Sequence, residues 1–538
     1  MQASGSSSVW QVFAGVRKNE KTNPMRLPAD TYGPMPWDRK NFFNPCLASF
    51  VFGRDLSIAS VRHAVTFSHG GDASVKFEPF KRLLAGVAMM TCLLHGQRVV
   101  GQQTGDAPRN SLLTTNVQAG ADAGATRTNQ QIWNFHGQNT DVGQLHPSFH
   151  AKYSGANSLK SGFESDETVA FDFFGGVRLW KGSELHLDAL AWQGFGLSHT
   201  LGIEAFPNAE AYKLGAPIGN FVLARAFIRQ VIGLGGEQEP VPDDALHLGG
   251  AQDISRITLT VGEMSVLDVF DVNSYAGDPQ GQFLNWALVG NEAWDYPANS
   301  LGYITGFAAE LNQPSWAARY GFFQVPRVAN GLAIDGNYLN AWGMVVEFER
   351  RFSLNSHPGS VRFLAYGNRA HMGSFTEALD SPVRPANIVM TRSYRYKYGF
   401  GLNAEYELIK GVGVFSRLGW SDGQTESWEY ADVDQTASLG ASVNGKFWHR
   451  PNDTIGAAGI VNGISRAHQR FFEAGGTGIL AGDGALNYGL EQSLETYYKF
   501  QVWKTLYLTA DYQFVANPAY NRDRGPVSIF GGRVHWDF

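Results

Sequence analysis

The chain has 538 residues, 43 Lys+Arg against 49 Asp+Glu for a formal charge of −6, 43% hydrophobic and only 17% charged residues. A mean hydropathy of −0.21, with no uninterrupted apolar stretch of about 18 residues, excludes a helical membrane protein. The near-neutral balance gives no basic face for nucleic acid. What remains is a large soluble globular protein or a β-barrel whose lipid face is apolar only at every second residue. The 13% aromatic content, 62 Gly and only 2 Cys favour the barrel.

Residues 1–74 are rich in turn formers and lack periodicity, and read as an extension ahead of the folded protein. Lys81 and Arg82 precede the apolar run Leu83 to Leu94, and Val99 with Gly101 follows in small-residue cleavage positions. This is the layout of a secretory signal peptide over residues 75–101. Such a signal must stand at an N-terminus, so translation is expected to begin near Val75. A buried helix of an N-terminal domain, or a lipobox at Cys92, are the competing readings. Cys46 and Cys92 are the only cysteines, so no disulfide framework or Cys-ligated zinc is available after residue 92.

Residues 102–131 are Gly, Ala, Thr, Asn and Gln rich, as in a flexible segment. From Ile132 to Phe538 the unit is a run of about ten residues alternating apolar and polar, closed by Gly, Asn, Asp or Pro. Leu185, Leu187 and Ala189 oppose His186 and Asp188, and Phe400 to Leu408 on even numbers oppose Asn403, Glu405 and Glu407. Glu347 and Glu349 sit between Met344, Val346 and Phe348 at mid-strand. Leu506, Leu508, Ala510, Tyr512 and Phe514 oppose Thr509, Asp511 and Gln513. In the last run Phe530, Val534, Trp536 and Phe538 share one face, and Arg533, His535 and Asp537 the other.

A β-sandwich also alternates. Charged mid-strand faces suit a wet lumen, and Trp180, Trp192, Trp420, Trp503 and Trp536 at strand ends suit interfacial girdles. A last strand ending in Phe suits presentation to the barrel-assembly machinery. The expected fold is therefore all-β, a transmembrane antiparallel barrel of about sixteen strands, with long extracellular loops and short periplasmic turns. A barrel that wide leaves an aqueous channel.

Sugar hydroxyls are bonded by Arg, Asp, Glu, Asn and Gln, and sugar ring faces stack on aromatics. The arginine fork can reach two neighbouring hydroxyls. Arg178, Arg225, Arg229, Arg256, Arg319, Arg362, Arg417 and Arg533 fall on the inferred polar faces, although large apolar residues occupy both faces around Arg225, Arg319 and Arg362. Each could instead be a structural arginine paired to an acid such as Asp188, Glu347 or Glu405. The segment Asp268 to Tyr296 gathers Asp268, Asp271, Asn273, Asp278, Asn285, Trp286, Trp294 and Asp295 without clean alternation. It reads as a loop or short helix folded inward to narrow the pore, or as an external loop held by its own Asx turns. Its spacing is not that of a calcium loop. Neither Gly233 to Gly236 nor His136, His146 and His150 has the spacing of a nucleotide or metal site.

Several pieces resemble the carbohydrate-selective porins of the OprB family: WNFHGQNTDVGQLHPSF from Trp133, RQVIGLGGE from Arg229, Arg256 to Pro297, LNQPSWAARYGFFQVP from Leu311 and NPAYNRDRGPV from Asn517. They stand in family order across 132–538. The resemblance implies an outer-membrane barrel of about sixteen strands passing glucose-like sugars to the periplasm, with no catalytic residue, cofactor or metal. The partners it implies are small sugars, outer-membrane lipid and the barrel-assembly machinery through the strand ending in Phe538; it leaves monomer and homotrimer open. A general porin, a polysaccharide exporter with a wide basic lumen, or a β-rich carbohydrate-active enzyme with two facing carboxylates are the competing functions.

Overall fold

The computed structural model describes residues 130–213 and 215–538. The extension, the signal segment and nearly all of the flexible stretch lie outside the described residues.

Sixteen strands close into one antiparallel barrel. They are β1 (Trp133–His146), β2 (Glu164–Trp180), β3 (Ser183–Gly194), β4 (Ala216–Gly233), β7 (Arg256–Met264), β8 (Ile304–Gln313), β9 (Trp316–Phe323), β10 (Trp342–Leu354), β11 (His357–Ala370), β12 (Arg395–Ile409), β13 (Val412–Ser421), β14 (Gln435–Asn444), β15 (Thr454–Gly463), β16 (Glu491–Trp503), β17 (Leu506–Ala516) and β18 (Val527–Asp537). Two more, β5 (Gln238–Val241) and β6 (Gly250–Asp253), pair only with each other in a hairpin between β4 and β7. The barrel closes where β1 meets β18, with Gln138 opposite Asp537 and Leu145 opposite Phe530. Every barrel strand thereby has two neighbours, so no strand edge is left open.

Alternation follows from the pleat, because successive side chains point to opposite faces. On β10, Glu347 and Glu349 are buried in the lumen while Val346 and Phe348 stand out, about half exposed. On β18, Arg533 points in and Phe530 out; on β17, Asp511 and Gln513 point in. Phe363, Phe400 and Leu402 continue the outer apolar band across β11 and β12. Of the tryptophans expected in the girdles, Trp180, Trp420 and Trp503 are exposed, whereas Trp192 is 7% exposed. The β3 alternation turns Trp192 inward, where it packs edge-on against Tyr212, 4.9 Å between ring centres.

The two rims differ. At one rim eight loops connect the strands, the longest between β7 and β8 at 265–303. At the other rim, five of the seven connections are two-residue turns. In the turn between β2 and β3, Gly182 adopts φ 75°, and a Cβ there would meet the Val231 carbonyl oxygen at 2.2 Å, so the reversal requires glycine. The two longer connections at this rim are 445–453, between β14 and β15, and 234–255, which carries the β5–β6 hairpin.

A charge on the outer band is costly in hydrocarbon. Phe363→Arg, at the middle of β11, is expected to destabilise the lipid-embedded barrel by about 2–4 kcal/mol, read from urea titration in phospholipid vesicles.

Candidate functional site

The lumen is filled from the long-loop rim. The 265–303 loop enters it, and polar side chains of the wall hold the loop's backbone. Glu347 of β10 accepts the Asp271 backbone N–H at 2.7 Å, and Glu405 of β12 accepts that of Ser274 at 2.5 Å. Glu495 of β16 accepts the N–H groups of Leu284 and Asn285 at 2.6 and 3.0 Å. Arg533 of β18 donates to the Pro279 and Gln282 carbonyls. Arg417 of β13, 1% exposed, pairs with Asp271 at 3.0 Å and donates to the Leu288 and Ala276 carbonyls at 2.7 Å. These bonds satisfy groups that would otherwise be buried without partners, and they fix the loop against the wall from β10 to β18. Asn285 caps the short helix Trp286–Val289 by accepting the Ala287 N–H.

The 195–215 loop folds in beside it. Glu491 at the head of β16 accepts the N–H groups of Glu204, Ala205 and Ala519, and the Trp286 indole N–H donates to the Asn208 carbonyl at 3.0 Å.

Between these loops and the β1–β4 wall lies a cavity of about 220 Å³. By liquid volume it holds on the order of seven waters, the scale of one sugar ring. Its wall side carries Gln138, Asp172, Phe174 and Arg225; its loop side carries Glu210, Lys213, Asp268, Trp286, Tyr296 and Tyr430. Asp268 clamps Arg225 through two bonds of 2.8 and 2.9 Å, and Asp188 takes a third at 2.7 Å. Tyr303 lies under the guanidinium at 5.1 Å. A guanidinium has five N–H donors, so three bonds leave two. The loop side carries packed rings: Trp286 stacked on Tyr430 at 5.3 Å and 23°, and Tyr296 tilted at 44° against Tyr430 at 4.4 Å. The cavity thus joins hydrogen-bonding groups to aromatic faces.

Of the residues singled out in sequence, Arg225, Asp268, Asp278, Trp286 and Tyr296 line the cavity; the other arginines, Asp271 and Trp294 do not. Arg319 is held by Glu310, Glu347 and Glu349 at 2.6 to 2.7 Å, and Arg362 by Glu405 at 3.1 Å. Arg417 and Asp271 are each other's partners. Arg178 pairs with Glu184, Arg256 with Glu239, and Arg229 donates to the Leu246 carbonyl. Trp294 is fully buried against Phe270, Tyr296 and Tyr366. Sequence reasoning missed Glu210, Lys213, Tyr430 and Leu246, which stand in irregular segments without a period to place them.

The chain matches the family model described as "Carbohydrate-selective porin, OprB family" over residues 157–538. Among solved structures, the high-pH structure of Pseudomonas putida OprB superposes with a TM-score of 0.57 at 16% identity, covering 76% of this chain and 94% of that one. The outer membrane channel DcaP of Acinetobacter baumannii gives 0.41 at 8% identity, covering 76% and 97%. No curated protein sequence matches the chain.

Two loop groups give the cavity a pH-dependent charge. Burial, with Asp172 and Asp278 nearby, pushes the Glu210 carboxyl up to about 8. Burial pulls the Lys213 ammonium down to about 8 against the charges of Asp432 and Glu204. Below that pH Glu210 is neutral and Lys213 positive; above it Glu210 is negative and Lys213 neutral. Reversal potentials in a salt gradient should shift toward cation selectivity between about pH 7 and about pH 9, and Glu210→Gln should diminish the shift.

Proposed function

This chain belongs to the carbohydrate-selective porin family OprB, and on that premise we propose that its sugar path runs along the β1–β4 wall, through the cavity at Arg225. It is an outer-membrane β-barrel channel, with the long loops outside the cell and the short turns in the periplasm. A passing sugar would lay a ring face on the Trp286, Tyr296 and Tyr430 cluster while its hydroxyls meet Arg225, Asp268 and Gln138.

The observation that carries this reading is the position of Arg225. Its charge is neutralised by Asp268 and Asp188, so it presents oriented donors without holding an anion tightly. Asp268 presents acceptors beside it. A sugar hydroxyl is both donor and acceptor, and contacts of this strength let it enter and leave. Membership of the family argues against a polysaccharide exporter.

Single-channel conductance in a planar bilayer, titrated with glucose and then with a disaccharide, tests the proposal. Current that falls saturably with sugar is the expected result; current indifferent to sugar would leave a general porin. Arg225→Ala should raise the half-blocking glucose concentration about three- to tenfold, the worth of one or two hydrogen bonds. An unchanged block would remove Arg225 from the site.

A further inference from the structure

The connection between β4 and β7 is the one periplasmic crossing with a hairpin of its own. Beyond the β5–β6 stem, Asp244 and His247 exchange backbone hydrogen bonds of 3.2 and 3.4 Å. They close a tight turn with Ala245 and Leu246 at its tip. A turn at the rim would ordinarily leave such a leucine in water, yet Leu246 is 4% exposed. It packs in the apolar cluster that holds Phe174, Phe227 and Met264 and forms part of the cavity wall.

The tip is tied down on every side. Arg229 of β4 donates to the Leu246 carbonyl at 2.6 Å. The Asn134 amide of β1 lies 2.9 Å from the Asp243 carboxylate and from the carbonyls of Asp244 and His247. His136 and Gln131 also bond Asp243, at 2.9 and 3.1 Å. The segment 242–249 is therefore a built part of the lumen.

We infer that Leu246 is the floor of the pore, a size-determining residue brought in from the periplasmic rim. Above it, loops from outside supply charges and aromatic faces. Leu246 has no polar side-chain atom, so it adds bulk alone: it limits what leaves the cavity without bonding it. The inference rests on the cavity being the permeation path, and adds to that reading a second constriction on the exit side.

The test is the conductance of the full-length protein in planar bilayers, with neutral polyethylene glycols of graded size as the probe. Leu246→Ala should raise conductance and admit larger polymers. Asn134→Ala, which unties the tip and leaves the cavity wall intact, should act in the same direction, and Leu246→Trp should lower conductance and the size limit. Heat-modifiable gel migration reports folding. Should Leu246→Ala not fold, Asn134→Ala and Leu246→Trp decide the matter. Wild-type conductance and an unchanged polymer limit in the folded variants would overturn the floor. Because these polymers probe size alone, a shifted limit together with a wild-type current indifferent to glucose would sink the sugar site and keep the floor.

Discussion

Hydrocarbon offers no hydrogen bonds, and the rest of the structure answers to that constraint. Each backbone N–H and C=O of a crossing segment must be paired within the protein, which strands achieve only by closing on themselves. The β1–β18 seam completes the pairing. Closure then imposes a second condition, because every strand presents alternate residues to lipid and to lumen. A chain apolar on every second position must place something on the others, and here they are Glu, Arg, Asn and Gln. Such groups stand in a protein-filled interior and need partners. They find them in the backbones of the inward loops, so the requirement that makes the outside apolar also supplies the anchors that shape the pore.

The anchors explain why so little of the arginine set reaches the cavity. A lumen arginine next to buried acids is bound before any solute arrives. Arg319 meets three carboxylates, and Arg417 holds a loop 146 residues away in sequence. Breaking such a buried pair by removing one partner leaves a charge without compensation, at a cost of about 3–5 kcal/mol. These side chains are framework. Arg225 is paired as well, but it alone of the set lines the cavity between the β1–β4 wall and the loops.

Period two is a local property, and it was enough to place Glu347 against Val346, or Arg533 against Phe530, on opposite faces. The barrel was legible for that reason; the break in alternation from Asp268 marked a loop but left open whether it folds inward or lies outside. Pairing is not local. Nothing near Arg417 announces Asp271, and nothing near Arg225 announces Asp268 rather than a structural acid. Trp192 shows the limit within a single strand: its place near a strand end suggested a girdle, but its even number, shared with His186 and Asp188, turns it inward. Leu246, which no period placed, became interpretable only once Asn134 and Arg229 were seen to converge on its turn.

A channel that selects by touch must be stiff and yet hold its solute weakly, and the asymmetry of the lumen reconciles the two. Stiffness comes from the β10–β18 side, where loop backbone and wall side chains are joined by many short bonds that a passing solute does not disturb. Weak holding suits the β1–β4 side, where Arg225 in the cavity wall is already paired with Asp268 and Asp188 and Asp172 accepts a hydrogen bond from Gln138. A paired ion has most of its field cancelled but keeps its hydrogen-bonding directions. Neutral solutes bearing hydroxyls can use those directions. Placing the rigid and the permissive functions on opposite walls lets each be set without weakening the other, and the loop between them is held mainly by the first and meets the second through Asp268 on Arg225.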